Sequence, residues 1–146
     1  MADDYIVLEF TESFNTEDHT QIRQIVGQLK RNGIRCSLDD FGTGYASLGA
    51  LKHIPLDEVK LDRMFLGDGV HKGHDRTIME SVIKLGKSLG LQVVQEGVET
   101  KEMFDACVAM GCDVIQGFYY AKAISVEEYR LFINSNTSIR YKVQVK

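Results

Sequence analysis

Residues Ile34-Arg-Cys-Ser-Leu38-Asp39-Asp40-Phe-Gly42-Thr-Gly44-Tyr-Ala-Ser47 form a short β-prone run, an adjacent pair of carboxylates and a glycine-rich loop, in that order. The reading is a strand from Ile34 to Leu38 with two acids where it ends. Neighbouring carboxylates repel each other and resist joint ionisation unless a cation lies between them, which suits a divalent metal. Asp-Asp before Gly is also an ordinary turn sequence. What the other strands carry at the same level therefore matters.

On the N-terminal side, Tyr5 to Phe10 is β-prone and apolar enough to be buried on both faces, as in a parallel sheet. A helix follows, capped at Asn15 or Thr16, with Ile22, Ile25, Val26 and Leu29 at i, i+3, i+4 and i+7 and Asn32-Gly33 as its stop. On the C-terminal side, Ser47 to His53 reads as a short helix before Pro55, and Glu58 to Asp62 as a third strand. Gly67 to Gly73 reads as a loop. A long helix from about His74 to Leu89 carries Ile78, Val82, Leu85 and Leu89 on one stripe, with Gly90 to end it. Leu91 to Gln95 is the fourth strand. Thr100 caps a helix bearing Met103, Phe104, Cys107 and Val108, which Gly111 terminates. Asp113 to Gly117 is a short fifth strand, and Ser125-Val-Glu-Glu128 is a capping box for a last helix through Tyr129, Phe132 and Ile133.

Five alternations of strand and helix predict an α/β fold of right-handed βα units around a parallel sheet. The domain is expected over residues 1–135. Residues 136–146 form a tail in which Ile139, Tyr141, Val143 and Val145 alternate with polar residues, an extra strand or an unstructured end.

The 146 residues suffice for one domain, and the 44% hydrophobic and 26% charged content is that of a soluble globular protein. A formal charge of -4 offers no basic surface to duplex DNA or RNA or to an anionic membrane, and no apolar run is long enough to span a bilayer. Cys36, Cys107 and Cys112 lack the close spacing of a zinc or redox site; with no secretory signature at Met-Ala-Asp-Asp, reduced buried thiols and a cytoplasmic location are expected.

One polar residue or pair stands at or near the carboxyl end of each strand: Glu9, then Asp39 and Asp40, then Lys60, Glu96 and Gln116. In a parallel barrel or open α/β sheet these ends converge on the active site. Oxygen ligands of this kind suit magnesium or manganese rather than zinc, and the four histidines fall in helices or loops. Singly, Glu9 could face water and Lys60 could be an ordinary salt-bridge partner of Asp40 or Glu96. Jointly, their common edge argues for a site.

Five blocks then resemble the EAL domain: Val7-Leu-Glu9-Phe-Thr-Glu12-Ser, Leu38-Asp39-Asp40-Phe-Gly-Thr-Gly-Tyr-Ala-Ser-Leu48, Val59-Lys60-Leu-Asp62-Arg63, Val94-Gln-Glu96-Gly-Val-Glu99-Thr, and Gln116-Gly-Phe-Tyr-Tyr-Ala-Lys122. The resemblance runs from about Tyr5 to Ile133 and implies a bacterial second-messenger phosphodiesterase. Such enzymes hydrolyse cyclic di-GMP to linear pGpG with Mg2+ or Mn2+ on a TIM-like barrel. It implies Glu9 and Asp39 as ligands of a first metal, Asp39 bridging to a second, and Asp40 as a ligand of that second metal. Lys60 matches the lysine at the attacking water, Glu96 the acid that holds this lysine and the metal shell, and Gln116 the amide near the water and phosphate. Glu12 matches the acid that props the loop from Phe41 to Ser47.

Two further metal ligands of the family, the glutamate of its Glu-Ala-Leu motif and an asparagine on a following strand, have no counterpart in the sequence. A closed eight-unit barrel takes about 250 residues, so the expectation is an incomplete TIM-like barrel of about five βα units. Its first metal site would be weakened, and hydrolysis by the chain alone impaired. The alternative is a catalytically silent module that binds cyclic di-GMP or another protein. Open edges at the first and fifth strands would recruit a second copy or another chain.

Overall fold

A computed structural model describes residues 6–11, 20–43, 47–67 and 73–135. The element order is β1 (Val7–Thr11), α1 (Thr20–Arg31), β2 (Arg35–Phe41), α2 (Ser47–His53), β3 (Glu58–Leu61), a 3-10 turn (Arg63–Leu66), α3 (Gly73–Ser88), β4 (Gln92–Gln95), α4 (Lys101–Met110), β5 (Val114–Ile115) and α5 (Val126–Ser135). The strands form one parallel sheet in the order β1-β2-β3-β4-β5. Each βα unit thus adds its strand beside the last. Among the described residues the sheet does not close into a barrel, and β1 and β5 are its edges, with Ile6 and Leu8 of the β1 side exposed. The α/β class, the parallel sheet and the incomplete barrel expected from the sequence are all present.

Strand alternation sorts the sheet into two chemically distinct faces. Cys36, Leu38, Val59, Leu61 and Val93 join Ile22 and Val26 of α1, Met79 and Ile83 of α3, and Cys107 of α4 in one hydrophobic core. Apart from the buried Val94 of β4, the intervening positions of these strands are polar: Arg35, Ser37 and Asp39 of β2, Glu58 and Lys60 of β3, Gln92 of β4. Near the amino ends of the strands, an Arg35 guanidinium nitrogen donates to Gln92 Oε1 at 2.9 Å and lies 3.8 Å from Glu58 Oε2. Arg35 thereby gives the buried Glu58 carboxylate a charged neighbour, without which burial would be costly.

Several details differ from the sequence reading. The stripe Ile78, Val82, Leu85 and Leu89 is not the buried face of α3: Ile78, Leu85 and Leu89 are exposed, and Met79, Ile83 and Gly86 face the core. Two apolar stripes compete on this helix, and Gly86 settles the choice. A Cβ there would lie 2.8 Å from Val93 Cγ2, so its absence lets the helix approach β4 on that side. Ile25 of α1 and Val108 of α4 likewise face outward.

The third strand stops at Leu61 because Asp62 turns to cap the 3-10 turn, its Oδ1 accepting from Met64 N at 2.8 Å. The fifth is two residues long, and Asp113 Oδ2 accepts from Val93 N at 2.9 Å where a strand carbonyl would otherwise serve. The second strand runs on through both acids to Phe41.

The helix caps follow the sequence where they are described. Thr100 Oγ1 accepts from Met103 N at 3.2 Å. Ser125 and Glu128 bond reciprocally, Ser125 N to Glu128 Oε2 at 2.8 Å and Glu128 N to Ser125 Oγ at 3.3 Å. Cys36 and Cys107 are buried free thiols. The proposed caps Asn15 and Thr16, Glu12, and the tail 136–146 lie outside the described residues. No described helix is long and apolar enough to cross a membrane.

Candidate active site

Adjacent residues of a regular strand point to opposite faces, so Asp39 and Asp40 could not share a site if β2 were regular. It is not. Pairing to β3 shifts register between Leu38 and Phe41, and Asp40 takes a left-handed φ of 55°, a conformation aspartate tolerates better than most side chains. Thr43 fixes the bend, its N and Oγ1 donating to Asp40 O at 3.2 and 3.0 Å. Asp39, Asp40 and Glu96 consequently each place a carboxylate oxygen within 4.8 Å of the others.

Lys60 lies at the centre of the acids. Its Nζ is 2.7 Å from Glu96 Oε1, 2.9 Å from Glu9 Oε1 and 3.0 Å from Asp39 Oδ1, and the side chain is only 2% exposed. Three neighbouring strands supply these contacts through register: Glu9 and Asp39 come from β1 and β2, and Glu96 follows β4. Burial works against the ammonium charge, but the Glu96, Glu9 and Asp39 carboxylates outweigh it and raise the Lys60 pKa above the ordinary lysine range. The lysine is therefore a fixed cation.

Glu96 moves the other way from a simple ion-pair partner. Burial raises its pKa; contact with Lys60 lowers it, and the nearby Asp39 and Glu9 charges raise it again, leaving the net shift upward from 4.5. Folded Glu96 thus holds its proton more tightly than the unfolded chain does. Its contribution favours folding at low pH and is lost as pH rises from about 4.5 through the folded value. Glu96→Gln is expected to gain stability relative to the metal-free wild type over that rise, measured as the difference in urea midpoints at pH 4 and pH 7. A difference that shrinks or stays flat would refute the assignment.

Gln116 completes the group. Its Nε2 donates to Glu96 Oε1 at 3.3 Å, while its backbone N donates to Gln95 O at 2.8 Å. The loops behind these residues interlock closely. A Cβ on Gly97 would come within 2.5 Å of Arg63 Cβ, and one on Gly117 within 2.0 Å of Val98 O. Both glycines directly follow a site residue, so the site depends on backbone that only glycine permits. Beside Glu96 and Gln116 opens a cleft of about 270 Å³, lined also by Asp62, Arg63, Glu99 and Phe118. The two residues after Phe118 pack on α4, the Phe104 ring centroid lying 5.5 Å from Tyr119 and 5.4 Å from Tyr120.

The donor set fits a hard divalent cation. It is all oxygen, and the buried Asp39 Oδ1 has the Lys60 ammonium 3.0 Å away as its one neighbouring charge partner among the described residues, which leaves it acceptor capacity to spare. Glu9 stands apart from the three clustered acids and is held by Lys60. Of the residues singled out in the sequence, Glu9, Asp39, Asp40, Lys60, Glu96 and Gln116 thus converge. Sequence reading passed over Gln95, Gly97 and Gly117, whose roles rest on contacts between loops distant along the chain; the one visible signal was a glycine following each of two polar strand ends.

The EAL domain family model matches residues 1–123. The chain is 38% identical over 124 residues to the bifunctional diguanylate cyclase/cyclic di-GMP phosphodiesterase MucR of Pseudomonas aeruginosa, spanning 85% of this chain and 18% of MucR. Its fold superposes with a TM-score of 0.86 on the EAL domain of Mycobacterium smegmatis DcpA, at 35% identity, covering 92% of this chain and 60% of that one. Against the Klebsiella pneumoniae BlrP1 complex with manganese and cyclic di-GMP the TM-score is 0.69 at 34% identity, covering 77% of this chain and 29% of that one. The sequence blocks, the parallel βα sheet and the family match agree: the chain belongs to the EAL domain family.

Proposed function

We propose that the chain forms the metal-binding and lysine-bearing part of a cyclic di-GMP phosphodiesterase that hydrolyses its substrate to linear pGpG, with activity impaired when the chain acts alone. The convergence of Glu9, Asp39 and Glu96 on the buried Lys60, beside the acid pair of β2, carries this reading. MucR, a relative, is a cyclic di-GMP phosphodiesterase, and BlrP1 holds manganese with cyclic di-GMP. The domain takes in residues 1–135, with 136–146 as a C-terminal tail outside the described residues, and works in the cytoplasm. A second copy or another chain covers the β1 and β5 edges.

Asp39 and Asp40 would hold Mg2+ or Mn2+ together with Glu96, and Glu9 would join them only by leaving Lys60. Bound there, such cations supply Lewis-acid stabilisation of phosphate charge and make water more acidic. Lys60 stays protonated, so it acts by orienting the attacking water and stabilising negative charge on the phosphodiester, not by removing a proton. Glu96, with its raised proton affinity, fixes the ammonium and can take up a proton. Gln116 orients Glu96 and reaches toward the same water. The family resemblance gives Glu12, outside the described residues, the role of steadying the loop after β2.

A catalytically silent cyclic di-GMP-binding module is the second reading. It is favoured by the position of Glu9, paired with Lys60 and apart from the cluster of Asp39, Asp40 and Glu96. Hydrolysis of cyclic di-GMP by the purified chain with Mn2+ or Mg2+, run beside calorimetric binding, separates the two. Metal-dependent release of pGpG supports the phosphodiesterase; binding without release supports the module; neither refutes both. Asp39→Asn is expected to weaken Mn2+ binding by about 10-fold or more, read by calorimetry, and an unchanged affinity would remove Asp39 from the ligand set.

A further inference from the structure

We propose that Gln95 is a positioning residue for Lys60 and Glu96, acting through the backbone at the carboxyl ends of β3 and β4. Only its effect on turnover rests on the phosphodiesterase reading. The side chain is fully buried, and its Nε2 lies 3.1 Å from Leu61 O, 3.2 Å from Asp62 O and 2.9 Å from Glu96 O. Two amide hydrogens are thus shared among three carbonyls at the point where the two strands part. Leu61 directly follows Lys60, and Glu96 directly follows Gln95. The backbone also joins the two strands here through Glu96 N, which donates to Leu61 O at 3.1 Å. Beyond it the chain turns away into the 3-10 turn, where Asp62 O also accepts from Phe65 N at 3.2 Å.

The amide oxygen argues in the same direction. Gln95 Oε1 is buried with no hydrogen-bond partner among the described residues, which costs free energy that an apolar side chain would avoid. What glutamine provides in return is its donor nitrogen. By tying the end of β3 to the end of β4, that nitrogen sets the spacing at which Lys60 Nζ meets Glu96 Oε1 at 2.7 Å. A displacement of about 1 Å at such a pair is enough to cost two orders of magnitude in a positioned reaction.

The test is the Lys60 ammonium signal in 15N-resolved NMR of the full chain, assigned by its disappearance in Lys60→Arg. Gln95→Met keeps the volume and removes the donor, Gln95→Ala serves if the methionine variant does not fold, and Ile83→Val is a control that trims the buried core and leaves Gln95 in place. With either Gln95 variant, the ammonium protons are expected to exchange with water at least 10-fold faster and the resonance to shift, while Ile83→Val leaves both as in the wild type. Where the wild type turns over cyclic di-GMP, kcat falls at least 10-fold and KM stays within 2-fold. An unchanged ammonium signal in the Gln95 variants, or an equal change in Ile83→Val, overturns the positioning role. A changed signal with no wild-type turnover overturns the phosphodiesterase reading and leaves the positioning role standing.

Discussion

Lys60→Met is expected to destabilise the metal-free protein by about 3 kcal/mol and to lower hydrolysis of cyclic di-GMP by about two orders of magnitude or more. Methionine fills nearly the same space, so the change isolates the charge. Without the ammonium, Glu9, Asp39 and Glu96 face one another across a buried position with no cation between them. Removing one partner of a buried ion pair costs about 3–5 kcal/mol. The lower end applies because the Glu9 side chain is 38% exposed and partly screened by water. The folded lysine pKa lies above its unfolded value of 10.5, so this stabilisation is complete below that pH and is lost as pH rises through the folded value. Urea unfolding of both proteins from pH 6 to pH 11 should show a constant gap that begins to close above about 10.5. Equal midpoints at pH 7 would mean that the acids do not depend on Lys60.

Gly117→Ala should cost about 1–3 kcal/mol or more and reduce turnover together with stability. The added Cβ would fall 2.0 Å from Val98 O, 2.4 Å from Val98 N and 2.6 Å from Val98 C. All three are backbone atoms, so no rotamer change relieves the clash. Val98 itself is held on both sides, its N donating to Gln116 O at 3.1 Å and its O accepting from Tyr119 N at 3.0 Å. Relief must therefore move the segment between Glu96 and Val98 or the one carrying Gln116, and either movement spoils the contact between Glu96 and Gln116. Thermal melting and kcat measured on the same preparation check this. A variant that melts and turns over as the wild type does would show that the two loops are not locked.

Both effects arise from residues on different strands and the loops that follow them, and this explains what could be read in advance. The strand and helix order was legible because it rests on local signals: β-prone runs, amphipathic spacing, the Thr100 cap, the Ser125 capping box and the stops at Gly33, Gly90 and Gly111. The convergence of Glu9, Asp39, Lys60, Glu96 and Gln116 was legible too, because a parallel sheet brings successive carboxyl ends to one edge. The buried face of α3 was not. Its sequence offers two apolar stripes, and only the approach of Gly86 to Val93 on β4 selects one.

By itself, then, the sequence determined the parallel βα order and the row of acids with a single lysine, since periodicity, turn chemistry and right-handed crossovers act within a unit or between neighbours. Tertiary structure alone decided how those groups act together. The left-handed bend at Asp40 turns two consecutive carboxylates toward one place, and strand register sets Lys60 among three acids. The Gln95 amide joins the ends of two strands separated by α3 in the chain. Each of these depends on contacts between residues far apart in sequence, whose geometry exists only once the core has closed and fixed the strands against one another.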